Sequence, residues 1–124
     1  MGRFSFGKKE KLCSKILLER LFAEGQTFRV DAIRVLYLEL TTAEATAQVV
    51  ISVPKKRVKK AHDRNRVKRH IREAYRLNKP ELLEKWTEEQ RSFALALIYL
   101  SEKESEFSAM SRTMAEVVKT LAQK

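Results

Sequence analysis

The chain has 124 residues, the size of one domain around one core. Its 44% hydrophobic content argues against general disorder, and 26 Lys and Arg against 16 Asp and Glu leave a formal charge of +10. That balance points to a polyanion, with nucleic acid favoured over a membrane surface, and no apolar run approaches the roughly 18–20 residues a spanning helix needs.

Residues 1–12, MGRFSFGKKEKL, are basic, carry Phe4 and Phe6, and are expected to form an irregular arm. They hold no run resembling a signal peptide, and Phe6 stands where a myristoylation signal at Gly2 wants Ser or Thr. Cys13 is the one cysteine, so neither a disulfide framework nor a thiol-rich metal site is expected, and a reducing cytoplasmic compartment fits. Ser14 can cap a first helix, and Gly25 can end it in the left-handed conformation. Between them Leu17, Leu18, Leu21 and Phe22 recur at helical spacing.

From Arg29 to Leu40 the period falls to two, with Ile33, Val35 and Tyr37 on one face and Leu36, Leu38 and Leu40 on the other. A strand apolar on both faces belongs inside a covered sheet. Thr41 to Ala45 reads as a polar turn, and Thr46–Val53 as the next strand, with Ala47, Val49, Ile51 and Val53 aligned. The short connection predicts an antiparallel hairpin of these two strands, ended by Pro54.

The run from Lys55 to Lys79 holds 12 of the 26 basic residues against only Asp63 and Glu73, so it carries the whole excess charge of the protein. Lys55–His62 reads as a loop and Asp63 or Arg64 as a helix start, with Asp63 as N-cap. On a helical wheel Val67, Ile71, Ala74 and Tyr75 make an apolar face. Asn65, Lys68, Arg69, Arg72 and Arg76 gather opposite, with Arg66 toward the edge. Pro80 is expected to open a second short helical stretch, PELLEKWTEEQ, packing through Leu82, Leu83 and Trp86.

Phe93–Leu100 is uncharged over eight residues and reads as a buried strand. Ser105 or Ser108 can cap a last helix, in which Phe107, Met110, Met114, Val117, Val118 and Leu121 keep the 3.6 period. The chain therefore reads as a single α+β domain over residues 1–124. It has one small, roughly four-stranded sheet with helices, in the order α-β-β(-β)-α-β-α.

A cationic helix face is by default a solvated one, but this stripe is nearly free of acids and continues upstream into Lys55, Lys56, Arg57, Lys59 and Lys60. Like charges at i, i+3 and i+4 weaken a helix by a few tenths of a kcal/mol per pair, so an anionic partner that offsets them is the better reading. Tyr37 and Phe22 would add stacking surface for a single strand if they share a groove, although each alone is read more simply as core. Catalysis by protein groups finds little support. His62 and His70 match no metal spacing, Asp63 and Glu73 are ten residues apart, Cys13 has no partner histidine, and there is no phosphate-binding glycine loop. No metal, cofactor or small-molecule substrate is expected on the polypeptide.

Arg64-Asn65-Arg66-Val67-Lys68-Arg69, preceded by Ile51-Ser52-Val53-Pro54-Lys55-Lys56 and followed by Ile71-Arg72-Glu73-Ala74-Tyr75-Arg76, resembles the signature of the bacterial ribonuclease P protein subunit. The resemblance extends through Leu21-Phe22-Ala23-Glu24-Gly25 and Leu36-Tyr37 to the strand at 93–100 and the last helix. It departs where many members carry a Gly-Asn turn and this chain has Arg57-Val58-Lys59-Lys60-Ala61-His62.

The resemblance implies a ribonucleoprotein that removes the 5′ leader of precursor tRNA, with hydrolysis by the RNA subunit and magnesium and a polypeptide inactive alone. It implies RNA docking through Lys55, Lys56, Lys59, Lys60, Arg64, Asn65, Arg66, Lys68, Arg69, Arg72 and Arg76. It also implies a leader cleft at Leu18, Phe22 and Tyr37, with Leu18 where an aromatic often stands. The basic helix would cross over, left-handed, between two parallel strands. The partners implied are the catalytic RNA and precursor tRNA. The rival readings are a structural, ribosomal-type RNA binder and a protein-only nuclease, the latter disfavoured by the missing carboxylate cluster.

Overall fold

The computed structural model describes residues 15–40, 47–102 and 106–124. In chain order the elements are α1 (Lys15–Glu24), β1 (Gln26–Val30), β2 (Ile33–Leu40), β3 (Ala47–Ser52), α2 (Ala61–Glu88), β4 (Ser92–Tyr99) and α3 (Phe107–Ala122). The strands form one mixed sheet in the order β1-β2-β4-β3. The expected arm at 1–12, the Ser14 cap, the Thr41–Ala45 turn and Ser105 lie outside the described residues.

β1 and β2 form a hairpin where the period-two pattern predicts a single strand from Arg29. Val30 pairs with Ile33 across the two-residue turn Asp31-Ala32, where Asp31 adopts φ 50°. Aspartate tolerates that region better than most residues, and Thr113 Oγ1 donates to its Oδ2 at 3.0 Å, holding the turn against α3.

The hairpin expected between β2 and the strand ending at Pro54 does not form, because β4 lies between them. β4 pairs antiparallel with β2 and parallel with β3. The reason is burial. Phe93, Leu95 and Leu97 on one face of β4 and Ala94 and Ala96 on the other are all essentially inaccessible, whereas β3 keeps several half-exposed residues. The strand that is apolar on both faces takes the centre, and β3 takes an edge. As the resemblance implied, α2 joins two parallel strands, β3 and β4.

The sheet is covered on both sides. Ile33, Val35, Tyr37, Val49, Phe93, Leu95 and Leu97 face α2 and α3, joined there by Val67, Ile71, Tyr75, Leu82, Trp86, Met114 and Leu121. On the other face α1 lays Leu21 over Leu36, Ala94 and Ala96. The two alanines leave room for the helix to approach. Gly25 serves the same closeness rather than a left-handed cap, since no glycine among the described residues has positive φ. A Cβ there would stand 2.4 Å from the Leu21 carbonyl oxygen and 3.2 Å from that of Tyr37.

α2 is one continuous helix of 28 residues, with Pro80 inside it rather than opening a second one. Proline removes a single ladder donor, and the stretch beyond it stays helical because Leu82 and Trp86 are buried and Trp86 stacks on Phe93 with centroids 4.1 Å apart. The helix ends in a Schellman motif with Gln90 at φ 56°, in which Arg91 N donates to Trp86 O (2.8 Å) and Gln90 N to Thr87 O (3.1 Å). That turn aims the chain into β4.

Asp63 and Ser108 do not act as helix caps. Lys60 and Glu106 precede α2 and α3 without side-chain capping bonds, Asp63 lies inside the first turn, and Ser108 is already helical. His70 against Phe107 (6.0 Å, edge-on) and Lys85 Nζ donating to Ala122 O are both contacts across 37 residues, so α2 and α3 run side by side in one direction.

Candidate nucleic-acid interface

α2 owes its orientation to a four-residue stripe. Val67, Ile71, Ala74 and Tyr75 are at most 2% exposed, as the wheel predicts, so the residues opposite them must face away from the sheet. On that outer side Asn65, Arg69 and Arg72 are exposed and Lys68 is half-buried. Lys68, Arg69 and Arg72 have no carboxylate or side-chain hydrogen-bond partner among the described residues.

The loop before α2 is anchored, not floppy. Pro54 O accepts from Arg57 N (3.0 Å) and Val58 N (3.1 Å), and Val58 plugs into the main core at 8% exposure. Sequence reasoning missed Val58, although a lone apolar residue inside a cationic loop was the available signal. Around this anchor Lys55, Lys56, Arg57, Lys59 and Lys60 are all exposed. Arg64 reaches back from the first turn, its Nη1 donating to Val58 O (3.1 Å) and Lys59 O (2.8 Å). Arg64 thereby couples the helix to the loop and fills two acceptors that the turn leaves open.

Two further cations have acidic neighbours. Arg66 Nη2 lies 3.5 Å from Asp63 Oδ1 and 3.1 Å from His62 Nε2. Arg76 forks onto Glu73, with Nε to Oε2 at 3.2 Å and Nη2 to Oε1. Hydrogen bonding from Arg76 holds the Glu73 carboxyl below the usual carboxylate range and raises the Arg76 guanidinium in turn. The predicted cations all lie on α2 or on the loop leading into it, but their surroundings differ. Lys55, Lys56, Lys59, Lys60, Lys68, Arg69 and Arg72 present open charge, while Arg64, Arg66 and Arg76 are held by neighbours.

Leu18, Phe22 and Tyr37, expected to share one cleft, are not brought together on one face. Leu18 packs half-buried beside Leu21 on the α1 side, and Phe22 on the same helix is 54% exposed. Tyr37 is 9% exposed and belongs to the opposite face, its Oη donating to Gln26 Oε1 at 3.0 Å and its ring 5.8 Å from that of Phe28. Period two already put Tyr37 and Leu36 on different faces; what it left open was which face α1 covers. Tyr37 instead lines a cavity of about 360 Å³ with Glu24, Gln26, Arg91, Phe93 and Lys124. Arg91 bonds Glu39 there through Nε (3.1 Å) and Nη2 (3.0 Å), which lowers the Glu39 carboxyl.

Among the described residues no three of His, Cys, Asp or Glu stand together as a metal site, and no helix is long and apolar enough to cross a membrane. The groups on this surface can neutralise and position phosphates.

Comparison with known proteins gives the same direction. Residues 6–122 match the family model described as Ribonuclease P. A ribonuclease P protein component of Porphyromonas gingivalis is 38% identical over 112 residues, covering 90% of this chain and 82% of that protein. One from Dictyoglomus thermophilum is 42% identical over 84 residues, 68% of each. The RNase P protein of Thermotoga maritima superposes with a TM-score of 0.66 at 26% identity, over 90% of this chain and 96% of that one. That of Staphylococcus aureus gives 0.69 at 20%, over 90% and 94%. With the sheet order, the crossover helix and its cationic face already in place, this match over nearly the whole chain means that the protein belongs to the ribonuclease P protein family.

Proposed function

We propose that this chain is the RNA-positioning subunit of a ribonucleoprotein endonuclease that removes the 5′ leader of precursor tRNA. The carrying observation is the outer face of α2 with its anchored loop, an acid-poor surface of at least seven open cations on one rigid element. Such a surface binds phosphates through counterion release and is fixed relative to the sheet by the buried stripe beneath it. Lys55, Lys56, Lys59, Lys60, Lys68, Arg69 and Arg72, with Asn65, dock the catalytic RNA. Arg64 holds the loop lysines in place, and Arg66 and Arg76 contribute less because of Asp63 and Glu73.

The leader lies on the α1 side of the sheet, where Phe22 offers an exposed ring for stacking and Leu17, Leu18, Leu38 and Leu40 are half-exposed. Hydrolysis belongs to the RNA subunit and its magnesium ions, and the polypeptide alone is inactive. The compartment is the cytoplasm, where precursor tRNA is made.

Cleavage of precursor tRNA by the catalytic RNA, measured at low magnesium with and without the protein, tests the proposal. Stimulation of processing is expected. Binding to the RNA without any gain in cleavage would leave a structural RNA binder and overturn the processing role. Cleavage by the polypeptide free of RNA would overturn the division of labour.

A further inference from the structure

The α1-bearing face of the sheet carries a second pair of cations, away from the basic helix. Arg29 of β1 and Arg34 of β2 are directly opposite each other in the hairpin register. Both are exposed, and neither has a carboxylate partner among the described residues. Like charges in directly opposed positions destabilise a hairpin, so the pair costs the free protein something unless an anion offsets it.

Each guanidinium is held by Nε alone: Arg29 Nε donates to Asp31 O at 2.8 Å and Arg34 Nε to Thr27 Oγ1 at 3.4 Å. The Nη atoms of both are left for a ligand, and two guanidinium forks side by side match phosphate oxygens. Register places the pair in a row. Arg34 is level with Ile98 of β4, and Ile98 with Ser52 of β3. Ser52 is followed by Val53, Pro54 and Lys55, where the basic loop begins. At roughly 4.8 Å per strand the row spans about 14 Å. It runs from the two arginines, over half-exposed Ile98 and Ser52, to the lysines.

We infer that Arg29 and Arg34 form a phosphate clamp for single-stranded RNA at the end of this row remote from the basic loop. Under the function proposed above, on which this assignment of the strand rests, that RNA is the 5′ leader crossing the sheet. Charge complementarity selects a polyanion, and the exposed half-apolar row between two cationic ends suits a flexible strand better than a rigid duplex.

The test compares wild type with Arg29→Gln/Arg34→Gln and Arg29→Lys/Arg34→Lys. Fluorescence anisotropy of the full chain with a labelled single-stranded oligoribonucleotide is read across salt concentrations. The Gln variant should flatten the slope of log K against log salt by about 1.4, two phosphates at roughly 0.7 each for a single strand, and the Lys variant should keep it. The melting temperature of the Gln variant should be equal to or above that of wild type, since the mutual repulsion is gone. In the reconstituted holoenzyme, precursor tRNA should show the same flattening and mature tRNA none. An unchanged slope on the oligoribonucleotide overturns the clamp whatever the holoenzyme does. Equal flattening on precursor and mature tRNA overturns its assignment to the leader. A slope lost on the oligoribonucleotide, with a wild-type holoenzyme that ignores the leader, keeps the clamp and rejects the proposed function instead.

Discussion

Glu73→Gln is expected to tighten RNA binding. In the free protein Glu73 is the acid that the cationic face of α2 carries beside Arg76, and the two side chains meet through a two-point fork. The carboxyl is held below its ordinary range by that contact, so it is ionised at neutral pH and cancels one of the cations. Amide replacement keeps the shape, removes one negative charge and releases the guanidinium. If Arg76 then meets a phosphate, the slope of log K against log salt steepens by up to about 0.9. Between 50 and 200 mM salt that is an additional loss of affinity of about threefold, set against a comparable gain at the low-salt end. Filter binding or anisotropy with the catalytic RNA over that range reads both. Arg69→Ala, which removes a cation without a partner among the described residues, should flatten the slope by a similar amount and serves as the calibration. An unchanged slope in Glu73→Gln beside a flattened one in Arg69→Ala would refute the idea that Glu73 withholds Arg76 from RNA.

Other expectations concern the scaffold. Trp86→Ala should cost about 3–5 kcal/mol in denaturant unfolding, because it empties a fully buried site and removes the stack on Phe93 that ties α2 to β4. Pro80→Ala should raise stability by up to about 3 kcal/mol, since the helix already runs through this position and lacks only the donor; a loss would mean that the ring packs usefully. Gly25→Ala should destabilise, its Cβ meeting two backbone carbonyls that cannot move aside cheaply, and thermal melting reads the shift. Glu39 titrates below its unfolded value because of hydrogen bonding from Arg91, so its contribution is present above the ordinary glutamate range and fades as pH falls through the lower folded pKa. Arg91→Gln should remove that acid-side slope from a stability–pH curve.

The periodicities that specify burial were legible, and those that specify neighbours were not. Val67, Ile71, Ala74 and Tyr75 could be placed on one face of α2 because a 3.6 repeat is a local property of the chain. The uncharged run at 93–100 was legible as a buried strand for the same reason. That β4 would separate β2 from β3 depends on which strand can be buried on both faces, a comparison among strands far apart in sequence. The β1–β2 turn was hidden because Asp31-Ala32 lacks the glycine that usually marks a two-residue hairpin. The Pro80 break was expected from a local penalty that the packing of Leu82 and Trp86 overrides. For the site, charge could be counted from residue types, but its availability could not. Arg64 and Arg69 look alike in sequence, and only the loop carbonyls at Val58 and Lys59 distinguish them.

That distinction bears on how a small protein can present many like charges without unfolding around them. Five cations lie in the six-residue loop Lys55–Lys60, and a flexible segment of that composition would spread away from itself in the absence of RNA. Three contacts oppose this: the Pro54 carbonyl turn, the burial of Val58, and Arg64 bridging two loop carbonyls from the first turn of α2. The middle one is apolar and the outer two use backbone acceptors, so none depends on a neutralising carboxylate that would weaken the surface for its ligand. An acid placed inside the loop would have held it equally well and cancelled what it displays. By fastening the loop with a core residue and a guanidinium, the chain keeps the charge open and its geometry fixed in the free protein, which on the function proposed above lowers the ordering cost of binding RNA.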